Sequence, residues 1–126
     1  MSQPRRGEVW LADLNSHTAR DEGLRNPAWP CLVIQTDLLN GVGHPSVVVI
    51  PGAARTYHES HVDAFPLRVA ILRQQEAGGL IRETELFIDQ IRAIAQQRLI
   101  GNTPLTMLSP EQLQRVQEAL QLVLKF

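Results

Sequence analysis

Apolar and polar positions alternate most clearly in Thr84-Glu85-Leu86-Phe87-Ile88-Asp89-Gln90-Ile91-Arg92-Ala93-Ile94. Leu86, Ile88, Gln90, Arg92 and Ile94 share one parity, and Phe87, Asp89, Ile91 and Ala93 share the other. Both parities carry apolar side chains, which predicts one strand packed on both faces near the middle of a sheet. Asp89, Gln90 and Arg92 are costly there unless paired. They either bond to a neighbouring loop and to one another or line the floor of a binding groove; the pattern leaves both open.

The same reading along the chain predicts further strands. Residues 7–14, Gly-Glu-Val-Trp-Leu-Ala-Asp-Leu, alternate and form a first strand. Residues 29–35, Trp-Pro-Cys-Leu-Val-Ile-Gln, form a second, with Pro30 at its start because proline has no N–H to give to a ladder. Residues 46–50 carry consecutive β-branched aliphatics and form a buried third strand, stopped by Pro51-Gly52. Residues 65–71 form a fourth. Between the first two strands, residues 15–28 show no periodicity, a length of loop that often carries function. Residues 53–64 are a second irregular segment.

Helical signals are fewer. Thr36 caps a short turn that Asn40-Gly41 ends, and residues 96–99 form another, closed by Gly101-Asn102. The tail is a full helix: Ser109 is the N-cap, Pro110 takes the first helical position and Gln112 completes a capping box. Leu113, Val116, Leu120, Val123 and Leu124 form its apolar stripe, and Lys125 suits its C-terminus. The elements together indicate a mostly β chain of the α+β class, a small curled antiparallel sheet or barrel with a terminal helix.

Composition narrows the class. The chain has 126 residues, 44% of them hydrophobic, which fits one globular domain over residues 1–126. No apolar run has the length of a membrane span or signal peptide, so the cytoplasm is the expected compartment. The single cysteine, Cys31, lies in an apolar run and reads as a buried, inert thiol. His17, His44, His58 and His61 have no metal-ligand spacing, and His58 and His61 read as loop histidines. The net charge of −1 gives no bulk basic signature for nucleic acid. Eleven of the twelve basic residues are arginine, however. Arginine grips phosphates with paired hydrogen bonds, although a GC-rich genome produces the same bias.

Three stretches together resemble the MazF/PemK toxin family: Arg6-Gly7-Glu8-Val9-Trp10-Leu11-Ala12-Asp13-Leu14, then Pro30-Cys31-Leu32-Val33-Ile34-Gln35-Thr36-Asp37 with Asn40, then Asp89-Gln90-Ile91-Arg92-Ala93-Ile94 with Arg98-Leu99. The resemblance spans nearly the whole chain. It implies a curled SH3-like antiparallel barrel with a C-terminal helix, a homodimer, and a toxin that cuts single-stranded RNA without metal or other cofactor and is silenced by a cognate antitoxin. It also implies a catalytic arginine before the proline of the second strand and a threonine just after the third.

Here Trp29 directly precedes Pro30, and Glu22-Gly23-Leu24-Arg25 in the long loop places Arg25 nearest the expected arginine. Ala53 stands at the threonine position, with Thr56 and Ser46 nearby. The resemblance assigns catalysis to Arg25 and RNA contacts to Glu22 and Gln90; Arg55 and Thr56, on the loop that faces the presumed groove, and Trp29, as a base-stacking platform, are further candidates for RNA contact. For Trp29 the alternative is a hydrophobic plug, for Arg92 a structural pairing. The substitutions at positions 29 and 53 keep open a MazF-like module that binds antitoxin or RNA without cutting, and the activity of a related fold, with no sequence feature of its own, adds a toxin that inhibits a protein such as a topoisomerase.

Overall fold

The computed structural model describes residues 3–14, 28–54, 68–71 and 84–125. Eight strands occur among them: β1 Glu8–Asp13, β2 Ala28–Val33, β3 Ser46–Ala54, β4 Arg68–Ile71, β5 Thr84–Phe87, β6 Arg92–Ala95, β7 Leu99–Ile100 and β8 Thr106–Met107. Two helices accompany them, α1 Asp37–Asn40 and α2 Pro110–Leu124. The strands lie in the order β4-β5-β3-β2-β1-β7, with β6 also on β3 and β8 also on β1. Every pairing is antiparallel. This is the expected antiparallel sheet with a C-terminal helix, and its path is open, since β4 and β7 do not pair.

The single strand expected over residues 84–94 is two strands. β5 stops at Phe87, a 3-10 turn takes Ile88–Gln90, and β6 begins at Arg92. Both halves pair with the same edge of β3, as Gly52↔Leu86 and Val49↔Arg92. Six residues on one side therefore span three on the other, and the turn absorbs the excess. Asp89 and Gln90 lie on that turn rather than on a strand, and are exposed.

β3 also runs further than expected, through Pro51-Gly52 to Ala54. The Ile34 N–H donates to the Val48 carbonyl, and the register from there turns the nitrogen of Pro51 away from β2. It faces the place where the 3-10 turn has left the ladder, so proline gives up no hydrogen bond. Gly52 is required by close approach: a Cβ there would lie 2.8 Å from the Glu85 carbonyl oxygen.

Two apolar clusters use the two faces of the sheet. Val9, Leu32, Ile50, Leu86 and Ile88 pack with Leu108, Val116 and Ala119 on the helix side. Trp10, Ala12, Leu14, Cys31, Val33, Val47, Val49, Ile94 and Leu99 form the other cluster, with Trp29 packed against it. Each fully buried side chain of this size contributes about 1.5–3 kcal/mol of transfer free energy.

α2 is capped as its sequence requires: the Gln112 N–H donates to Ser109 Oγ at 3.1 Å and the Ser109 N–H to Gln112 Oε1 at 2.9 Å. Its stripe is Val116 and Ala119, with Leu113, Leu120 and Val123 beside them, whereas Leu124 is 46% exposed. Lys125, at φ 59°, already turns out of the helix. α1 is fixed by a buried amide pair, in which Gln35 Nε2 donates to Asn40 Oδ1 at 3.0 Å and Asn40 Nδ2 to the Gln35 carbonyl at 3.0 Å. No described helix is long and apolar enough to cross a membrane.

Candidate active site

The antiparallel order brings several strand ends together. β1 leaves the sheet at Asp13 and β2 enters it at Ala28, which pair directly. β3 ends beside them at Ala54, paired with Thr84 at the start of β5, which in turn pairs with Ile71 at the end of β4. Residues 15–27 and residues 55–67 therefore both depart from this one end. These are the segments that carry Glu22, Arg25, Arg55 and Thr56, four of the expected site residues, all outside the described residues.

Trp29 is within the described part. It is half-buried at the start of β2, opposite Ala12, and packs on the cluster of Trp10 and Cys31. Its apolar role is thus real, but its indole is not fully satisfied. Nε1 is buried without a hydrogen-bond partner among the described residues, whereas Nε1 of Trp10 donates to Glu8 Oε1 at 2.9 Å. The β2–β3 ladder ends at Cys31↔Pro51, so Pro30 lies beyond it and costs no bond, consistent with its expected place. Gln90 lies on the exposed 3-10 turn at the other edge of β3 and is not brought beside Trp29 by any strand pairing.

Arg98 anchors the mouth of the long loop. Its Nη1 donates to the carbonyl oxygens of Asp13 at 3.1 Å and Leu14 at 3.4 Å, the last described residues before position 15. Asp13 Oδ1 is buried there without a hydrogen-bond partner among the described residues. The sequence shows nothing of this role, because the contact spans most of the chain.

Cys31 is the buried thiol expected. Burial pushes its pKa up to about 12, against the positive charge of Arg92, which pulls the other way. Arg92 is half-buried on β6, opposite Val49, and makes no ion pair among the described residues, so the pairing expected of it is not seen there.

Glu85 was not singled out by its sequence, yet it is only 3% exposed and is the one buried charged side chain among the described residues. In register it lies between Ala53 on β3 and Ala70 on β4. The alternation holds it, between Thr84 and Leu86, but a strand with two apolar faces does not reveal which of its polar positions are covered.

A cleft of about 480 Å³ lies at the opposite end of the sheet, lined by Arg5, Glu8, Asp37 and Asn40 among others. Its carboxylates are already engaged. Glu8 Oε1 accepts from the Arg5 N–H at 2.8 Å, and Asp37 Oδ1 from the Arg6 N–H at 2.8 Å and Asn40 Nδ2 at 2.9 Å. The first of these Asp37 contacts, then the second, lower its pKa below the usual carboxylate value. The cleft is separate from the loop end.

Residues 5–124 match the family of PemK-like, MazF-like toxins of type II toxin–antitoxin systems. The chain belongs to this family. It is 32% identical over 120 residues to endoribonuclease EndoA of Bacillus subtilis (strain 168), an alignment covering 95% of this chain and 93% of that protein. The fold of this MazF/PemK member is shared with MazF of Deinococcus radiodurans, at a TM-score of 0.70 and 17% identity with all of both chains covered. It is shared too with a mycobacterial endoribonuclease solved in complex with its cognate antitoxin, at a TM-score of 0.67 and 20% identity, covering 100% of this chain and 97% of that one.

Proposed function

We propose that residues 1–126 form one MazF-like domain that acts in the cytoplasm as a homodimeric, metal-independent endoribonuclease, cutting single-stranded RNA at short sequences. A cognate antitoxin would silence it. The observation that carries this reading is the identity with endoribonuclease EndoA over almost the full length of both chains. The gathering of strand ends supports its location, since the segments bearing Arg25 and Arg55 leave the sheet at one end.

The chemistry follows from the substrate. The RNA 2′-hydroxyl attacks the adjacent phosphorus, the 5′-oxygen leaves, and negative charge gathers on the phosphate between them. A base must take the hydroxyl proton and a cation must meet the developing charge. Arg25 supplies that cation, because a guanidinium offers two parallel N–H donors to phosphate oxygens. Glu22, Arg55, Thr56 and Gln90 contact the RNA around it. Trp29 presents an aromatic face on which a base stacks, a contact of ~1–3 kcal/mol, and a buried N–H that has no partner among the described residues.

The test is cleavage of a long mixed-sequence RNA in excess EDTA, with wild type beside Arg25→Ala. Wild type cuts at discrete sites and leaves 5′-hydroxyl ends. The variant, with an unchanged circular dichroism spectrum, loses ~10²–10³-fold in rate. A set of RNAs covering all short sequences, left uncut by folded wild type, overturns the reading.

A further inference from the structure

We propose that Arg98 is a positioning residue of the cleavage reaction, acting through Arg25. The inference rests on the RNA-cleavage reading and deepens it. On one side β1 pairs with β2 as far as Asp13↔Ala28; on the other it pairs with β7 only as far as Ala12↔Leu99. The next pair on that second side would join Asp13 to Arg98, but the chain there is the end of the 3-10 turn Gln96–Arg98. The Arg98 side chain carries the ladder on where the strand has ended. Its Nη1 donates to the Asp13 carbonyl at 3.1 Å and to the Leu14 carbonyl at 3.4 Å.

These bonds fix the main chain. A guanidinium donor carries charge, which makes its hydrogen bonds stronger than those of a neutral amide. Arg98 spends them on the Asp13 carbonyl and not on the Asp13 carboxylate, whose Oδ1 is buried without a hydrogen-bond partner among the described residues. Packing holds the same point from within, since Leu14 is 9% exposed and belongs to the cluster of Trp10 and Leu99. The end of β1 is thus held by β2, by the core and by Arg98.

The reaction makes this placement matter. Asp13 pairs with Ala28, so the two ends of residues 15–27 are tied to each other and, through Arg98, to the turn before β7. Arg25 comes three residues before Ala28. A guanidinium meets the charge developing on phosphate only while its donors are aligned with the phosphate oxygens. A displacement of about 1 Å, caused by a change remote from the chemistry, can cost ~10²-fold in rate. Arg98 sets the frame from which Arg25 acts.

The experiment uses Arg98→Met, which keeps an apolar stem and removes the donors, alone and combined with Arg25→Ala. Two quantities are read on variants whose circular dichroism shows them folded: the single-turnover rate at saturating RNA, and the Kd for a 2′-O-methyl copy of the cut segment. The expected rate loss is ~10–10²-fold with an unchanged Kd. Added to Arg25→Ala, Arg98→Met causes no further loss, because the group it misplaces is gone. A purely structural arginine gives the same fold-loss in both backgrounds, and that result overturns the proposal. So does an Arg98→Met variant that cuts at the wild-type rate or changes only in Kd, or an Arg25→Ala variant that cuts normally. Discrete cutting by wild type keeps the RNA-cleavage reading standing in each of these cases. A wild type that cuts none of the RNAs covering all short sequences overturns both. Should Arg98→Met not fold, Arg98→Lys decides, since it keeps the charge and ends one bond short of Nη1. A folded Lys variant that cuts slowly, with no further loss beside Arg25→Ala, supports the role. One that cuts at the wild-type rate, or slows both backgrounds equally, removes it.

Discussion

Cys31 is buried and ionisable, and its surroundings decide its chemistry. The Cys31 thiol is held neutral by burial, with a pKa of about 12. A neutral thiol is a poor nucleophile, so iodoacetamide at pH 8 leaves the folded protein unlabelled and labels it once urea unfolds the chain. The sign of the pH effect follows. The folded-state pKa lies above the unfolded one, so between the two the unfolded chain binds fewer protons and stability falls as pH rises. That alkaline loss is absent from Cys31→Ala, as urea midpoints measured above pH 9 would show; equal alkaline slopes in the two proteins would rule it out. The inert thiol was legible from the apolar run around it. The burial of Glu85 was not, because a strand packed on both faces hides which polar residue is covered. Nor was Arg98, whose partners Asp13 and Leu14 are distant in sequence.

Local patterns gave the elements that make their own hydrogen bonds and missed those that depend on a neighbour. The capping box of α2 and the Thr36 cap of α1 involve residues only two or three apart, and both are present. The break at Ile88–Gln90 has no comparable mark, because Ile88 is buried and keeps the alternation going across the turn. The two-residue strands β7 and β8 are too short to show a period. Pro51-Gly52 read as a stop because the ladder that tolerates it lies thirty and more residues away in the chain. Gly52 carries the sharper consequence. A methyl group there would meet the Glu85 carbonyl oxygen at 2.8 Å and Leu86 Cδ2 at 3.1 Å, so β3 and β5 would have to separate. Gly52→Ala costs about 1–3 kcal/mol, the usual penalty of overpacking, read as a lower urea midpoint. A midpoint at or above wild type would mean that the two strands are not held this closely.

At the scale of the molecule, the two apolar clusters share a single sheet. β1 sends Val9 to the helix side and Trp10 to the other, and β2 divides Leu32 and Cys31 in the same way. Neither face can lose its strands without the other, which predicts one cooperative unit with one unfolding transition. The expected candidate site fits this frame only in part, since it combines a sheet end bearing Trp29 with segments that lie outside the described residues. Cooperativity can be tested from one face to the other. Val116 is fully buried on the helix side, and Trp10 lies on the opposite face. Val116→Ala removes buried methyl groups and leaves a cavity, a loss of about 2 kcal/mol. The urea midpoint should fall equally when followed by helical circular dichroism and by tryptophan fluorescence, the probe of the far face. If the circular dichroism midpoint moves while the fluorescence midpoint stays at its wild-type value, the helix and the far cluster unfold separately. The sheet would then not transmit stability from the helix to the face that carries Trp29.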